Sequence, residues 1–177
     1  LDNGLRIKGS FNYVASDRES PITAPAFGGD GNGLFAAILF TPRSHDLNGL
    51  PYQSPIDGSN IYYRRGGPIQ NPLWTLNNSA QTEKVDRFFS TTEVSYEITP
   101  NITALYRLGI DNYSQANQRY IQRGGARAPD GELGTFSVNN RIIDQLLNVL
   151  YNYNLNEDIT LDGVVGLNLR RNLNSFT

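Results

Sequence analysis

Few residues are of a type and spacing that could do chemistry. Glu93 and Glu97 form the kind of carboxylate pair that a general acid and base need, and Glu157 with Asp158 forms a second. The first pair runs along one side of an alternating segment and the second falls in a turn, so neither implies a pocket. His45 is the single His of a chain with no Cys, which leaves it without the partners in sequence reach that a zinc site needs and removes disulfides and cysteine nucleophiles. Gly28-Gly29-Asp30-Gly31-Asn32-Gly33 looks like a phosphate or calcium loop. It lacks the Lys-Ser/Thr of a P-loop, and Leu34 falls where a calcium loop needs an oxygen ligand. No catalytic residue, metal or cofactor is therefore assigned, and the chain is not expected to be an enzyme.

Binding chemistry remains. Trp74 lies in a polar stretch with Tyr62 and Tyr63 nearby in sequence. Aromatics in such loops stack on sugar rings or peptide side chains at low entropic cost. Trp74, Tyr62 and Tyr63 are the candidate substrate-binding residues, with the alternative that Trp74 anchors the packing of a long loop. A second set, Glu93, Arg107, Asp111, Asp162 and Arg170, is placed by alternation on one side of the segments that carry it.

The elements that must position these residues read as β. The chain has 177 residues and a formal net charge of −2, one domain's worth of near-neutral protein rather than a polycation built for nucleic acid. No apolar run approaches the roughly 20 residues of a membrane-spanning helix. The 10 Tyr, 8 Phe and 17 Gly suit strands and turns. A first residue Leu1 and the lack of Met suggest a segment of a longer chain, with any export signal removed or upstream.

Five runs alternate. Leu5, Ile7, Gly9, Phe11 and Tyr13 share one side, as do Phe88, Ser90, Thr92, Val94, Tyr96 and Ile98. Ile102, Ala104, Tyr106, Leu108 and Ile110 follow after Thr99-Pro100-Asn101, which reads as a tight hairpin. A fourth run from about Phe136 to Leu155 puts Ile143, Leu147, Val149, Tyr151, Tyr153 and Leu155 on one side, with an ambiguous middle at Leu146 to Leu150. Ile159, Leu161, Gly163, Val165, Leu167 and Leu169 make the fifth, after the turn Asn156-Glu157-Asp158. None of these apolar sets carries a charge. Connections of roughly 70 residues (15–84) and roughly 20 residues (114–133) alternate with the tight turns, far above the loop median of about 4–6. The longer one contains a single helix-like stretch, 33–40, ended by Thr41-Pro42.

Alternation alone suits a soluble secreted β-sandwich that binds glycans through aromatic loops. Three features suit an outer-membrane barrel instead: strict alternation of short and long connections, aromatics near both ends of the strands, and strands of about 9–13 residues, long enough to cross hydrocarbon on a tilt.

The order of local phrases is more specific. Phe11-Asn12-Tyr13 with Asp17-Arg18, Thr41-Pro42-Arg43-Ser44, Asp57-Gly58 with Tyr62 and Tyr63, Asn71-Pro72-Leu73-Trp74 with Asn77-Asn78, Val85-Asp86-Arg87-Phe88 and Tyr106-Arg107-Leu108-Gly109-Ile110-Asp111 follow one another. This order resembles the barrel segment of SusC/RagA-type TonB-linked outer-membrane transporters over nearly the whole chain. The resemblance implies that residues 1–177 are about five strands of a 22-stranded, plugged barrel in a Gram-negative outer membrane. It also implies a parent that imports oligosaccharides or peptides, works with a SusD-like lipoprotein lid, is driven by the TonB complex and is embedded in outer-membrane lipid. Glu93, Arg107, Asp111, Asp162 and Arg170 would face its lumen. An adhesion or structural barrel would differ only in regions beyond this sequence.

Overall fold

A computed structural model describes residues 3–22, 34–39, 41–61, 70–126 and 128–177. Tyr62, Tyr63 and the glycine-rich run 28–33 lie outside the described residues. The chain order is β1 (Leu5–Ser20), α1 (Leu34–Leu39), α2 (Pro72–Asn78), β2 (Ser79–Thr99), β3 (Ile102–Ile121), β4 (Glu132–Asn154) and β5 (Thr160–Phe176). The five strands make one antiparallel sheet in the order β1-β2-β3-β4-β5, a meander whose edges are β1 and β5.

Both expected hairpins form, each with its own local cause. Between β2 and β3 the chain turns at Pro100 and Asn101, where the Asn101 amide donates to Thr99 Oγ1 at 3.3 Å. Between β4 and β5 the Leu155 amide donates to the Ile159 carbonyl at 2.9 Å, and the Asp158 amide to Asn156 Oδ1 at 3.0 Å. A short side-chain oxygen takes the amide two residues on in both, from Thr99 in the first turn and from Asn156 in the second.

The strands are longer than the alternation predicts, at 16 to 23 residues. β3 runs on to Ile121 and β4 begins at Glu132, so the connection expected over 114–133 shrinks to 122–131. The physical reason is that Ser114, Gln115, Asn117 and Gln118 are polar on both sides, so strand pairing continues there without an apolar side to reveal it.

The chain forms two compact units, the first Leu1–Ser16, Val85–Gln115 and Ser137–Thr177, the second Asp17–Lys84 and Ala116–Phe136. No linker separates them in sequence, since the chain passes between them within β1, β2, β3 and β4. Every buried residue among those described belongs to the second unit, where Ile22, Trp74 and Ile121 form the core with Tyr52 and Ala128 packed against it.

α2 is an element that the alternation did not foretell. Asn71 is its N-cap, accepting the Leu73 amide on Oδ1 at 3.0 Å, and Pro72 opens the first turn where its missing N–H costs nothing. At the other end Ser79 Oγ donates to the Thr75 carbonyl at 2.6 Å and the chain extends directly into β2. α1 matches the predicted helical stretch and ends as expected, with Thr41 Oγ1 donating to the Ala37 carbonyl at 2.7 Å.

Candidate functional site

In the first unit the sheet has two chemically different sides. The register of β4 on β5 places Leu147 opposite Leu167, Val149 opposite Val165 and Tyr153 opposite Leu161, and on the other side Asp144 opposite Arg170 and Asn152 opposite Asp162. Antiparallel partners share a side, so the parity expected for both strands is the parity observed.

The polar side carries a ladder of pairs across β1, β2 and β3. Glu93 on β2 accepts from Arg107 on β3 through Nε at 3.1 Å and Nη2 at 2.8 Å, and Lys8 on β1 approaches it at 3.9 Å. Arg87 forks onto Asp111, Nε to Oδ1 at 3.0 Å and Nη2 to Oδ2 at 2.7 Å, while its guanidinium carbon lies 5.3 Å from the centre of the Phe89 ring. Planar, two-point pairs of this kind fix side-chain direction as well as charge. On β4 and β5 the ladder becomes amide-rich: Asn168 donates to Asp144 at 3.1 Å, Asn152 to Asp162, and Asn140 to both Asn172 and Asn174. Lys8, Gly9, Ser10, Thr91, Glu93 and Arg107 line a shallow depression of 530 Å³.

All five charges expected to share a side, Glu93, Arg107, Asp111, Asp162 and Arg170, therefore lie on the polar side. The structure adds Arg87 and Lys8 as the partners that hold two of them. Glu93 is engaged by two cations, which suits a fixed electrostatic surface better than a proton-transfer role. Among the described residues no group of three or more His, Asp and Glu gathers as metal ligands would.

The other side is apolar and uncovered. Phe11 is 72 % exposed and Val165 69 %, and Leu5, Tyr96, Leu147, Leu161, Leu167 and Leu169 are exposed with them. Its polar atoms find partners within it, as when Tyr106 Oη donates to Gln145 at 2.9 Å. Because the strands outrun the expected apolar sets, this side also acquires charge: Asp86, which accepts from Tyr13 Oη at 2.5 Å, and Arg141 and Arg171 beyond Ile143 and Leu169. These form a limit to the apolar band rather than an interruption of it.

The second unit decides the role of Trp74. Its side chain is 0 % exposed, Nε1 donates to the Gly58 carbonyl at 2.9 Å, and its ring lies so close to Gly125 that an added Cβ would sit 3.2 Å from it. Of the two readings of this residue, ligand contact and anchoring of the loop, the geometry matches anchoring, since neither ring face is open. Polar side chains complete the packing. Asn60 Oδ1 accepts the Asn71 amide at 2.7 Å, Gln70 Nε2 donates to Thr75 Oγ1 at 2.8 Å while its Oε1 accepts the Ala126 amide at 2.9 Å, and Asn78 Nδ2 donates to the Trp74 carbonyl at 3.1 Å. Buried amides on this scale persist only when paired. Gly124, at φ +95°, lets the 122–131 connection meet the 50s loop: the Asn60 amide donates to its carbonyl at 2.8 Å, and a Cβ there would be 2.6 Å from Ser59 Cα. On the exposed part of that loop, hydrogen bonds from Ser54 first and then Ser59 hold the Asp57 carboxyl down at about 2.

No protein-family model matches the chain, and neither does any curated protein.

Proposed function

We propose that this chain is a barrel segment of a TonB-linked outer-membrane importer of the SusC/RagA type, with its apolar side against lipid and its ion-pair ladder toward a water-filled, plugged lumen. The observation that carries the reading is the state of the first unit. Its apolar side is broad and uncovered, it holds no buried residue among those described, and its polar side is paired within itself. In water an exposed apolar side spanning several strands is what soluble monomers avoid, whereas in lipid it is the solvent-facing side. The uncharged sets over 5–13, 88–98, 102–110, 143–155 and 159–169 also reach the roughly 9–11 residues that a tilted strand needs to cross hydrocarbon, the fourth exceeding it slightly. A glycan-binding β-sandwich requires a second sheet over the first, and the described strands all belong to one.

In this reading the polar ladder is a fixed wall for a passage through which oligosaccharides or peptides move, and the second unit is a pre-packed loop body that a ligand would meet outside. No catalytic step is proposed. The TonB complex and a SusD-like lipoprotein would be partners of the whole importer.

Spin labels on single cysteines test this, in an otherwise Cys-free full-length polypeptide reconstituted in lipid. Labels at Val149 and Val165 should be relaxed by oxygen, which concentrates in lipid, and labels at Asn148 and Asp162 by a water-soluble nickel complex. Nickel relaxation at all four positions would eliminate the barrel reading.

A further inference from the structure

We infer that Arg141 on β4 and Arg171 on β5 form a binding site for the phosphate of a lipid headgroup, an inference that rests on the barrel reading above. Both lie on the apolar side of the first unit, where Arg171 stands opposite Ile143 and Arg141 opposite Leu173. They are thus diagonal cross-strand neighbours, close enough for two long side chains to reach one group. Asn112 Oδ1 accepts from Arg141 Nε at 3.1 Å, which orients that guanidinium and leaves its terminal nitrogens to donate elsewhere. The Arg171 side chain makes no ion pair or hydrogen bond among the described residues.

The local charge is uncompensated. Among the described residues of the first unit, the one carboxylate of the strands on this side is Asp86, and it already takes the Tyr13 hydroxyl. Two guanidiniums on diagonal neighbours can converge on one anion with several acceptor oxygens, and their forks match phosphate. The surroundings say which phosphate. Leu169 and Leu173 flank Arg171 on the same side, 56 % and 41 % exposed, so the site offers an apolar wall and a cationic pair together. A soluble anion would use only the second; an amphiphile with acyl chains and a phosphorylated head uses both. The pair also lies at the end of the apolar set away from the tight turn Asn156-Glu157-Asp158, where long cationic side chains can reach the interfacial layer.

The experiment uses the full-length polypeptide in zwitterionic detergent micelles, with diphosphorylated lipid A, its dephosphorylated form and inorganic phosphate as probes and native mass spectrometry as readout. Arg171→Gln should weaken retention of the diphosphorylated lipid about tenfold and the Arg141→Gln/Arg171→Gln pair about a hundredfold. Arg171→Lys, which keeps the charge without the fork, should fall between wild type and Arg171→Gln. Arg170→Gln, adjacent in sequence but on the polar side, should change nothing. The inference is overturned by unchanged retention in the double variant, by equal binding of the dephosphorylated lipid, or by inorganic phosphate binding as tightly as the lipid. Spin labels at Val149 and Val165 are read on the same preparations. Lipid-facing labels with unchanged binding overturn this inference alone, while nickel-accessible labels remove the barrel reading and the inference with it.

Discussion

The two units solve the burial problem in opposite ways. The second unit closes a core around Trp74, Ile22 and Ile121 and pairs Gln70, Asn71 and Asn78 internally, leaving Asn60 Nδ2 buried without a partner among the described residues, whereas the first leaves Phe11, Leu147 and Val165 uncovered and joins only its polar side chains to one another. β1 to β4 run through both, so strand propensity does not separate them. On the barrel proposal, what separates them is where the apolar surface finds its partner: inside the protein in one case, outside it in the other. Burial is thus a statement about surroundings as much as about residues.

Trp74→Ala offers the largest test of that contrast. Removing a fully buried aromatic costs about 3–5 kcal/mol, and the loss should stay in the second unit. Hydrogen exchange is the measurement: the Asn60 and Gln122 amides, which donate to Gly124 and Asn78, should lose protection while those of the Leu147 region keep theirs. Equal loss in both regions would show that the units are not energetically distinct.

Next comes the first unit's own weak point. Val149→Arg on the apolar side should destabilise the lipid-embedded protein by about 2–4 kcal/mol, while Asn148→Arg, one residue away on the polar side, should fall near zero. Denaturant titration in vesicles measures both. A reversal of the two effects would mean that the strand presents its other side to lipid.

The same contrast explains what was legible in the sequence. Alternation revealed all five strands and both hairpins because, over those stretches, the two sides meet different surroundings. It predicted the shared side of Glu93, Arg107, Asp111, Asp162 and Arg170 for the same reason. It fell silent at Ser114 to Gln118, where both sides are polar. α2, at seven residues, is too short to show a helical period, and its one signal was the Asn71-Pro72 cap. Trp74 could be read either as ligand platform or as anchor, since the choice depends on Gly58, Gly125 and Ile121, which come together only in the fold.

Smaller effects sharpen the comparison within each unit. Asn71→Ala removes the cap of α2 and the acceptor for Leu73, and should cost about 1–2 kcal/mol, read as lower protection of α2 amides. Arg107→Gln breaks a pair whose partners are partly exposed, and should cost no more than about 1 kcal/mol, shrinking further at high salt. If Arg107→Gln proved the costlier of the two, the polar ladder would be structural rather than a wall for solvent.

Asp57 gives the smallest effect and the finest test. Its carboxyl is held down at about 2, below the ordinary carboxylate range, because Ser54 and Ser59 hydrogen-bond the charged form. A carboxyl with a depressed folded value supports the fold in full above its unfolded value and loses that support as pH falls through the folded one. The turn around Asp57 should therefore hold its order down to about pH 4 and loosen between about 4 and 2, with no counterpart in the Asp57→Asn protein. NMR titration of the carboxyl carbon reads the midpoint directly, and Ser54→Ala should move it up toward the ordinary carboxylate range. Because Trp74 binds the Gly58 carbonyl next door, loosening that spread from Asp57 to the indole would show the loop and core acting as one body, and loosening confined to 54–59 would show the anchor holding without its turn.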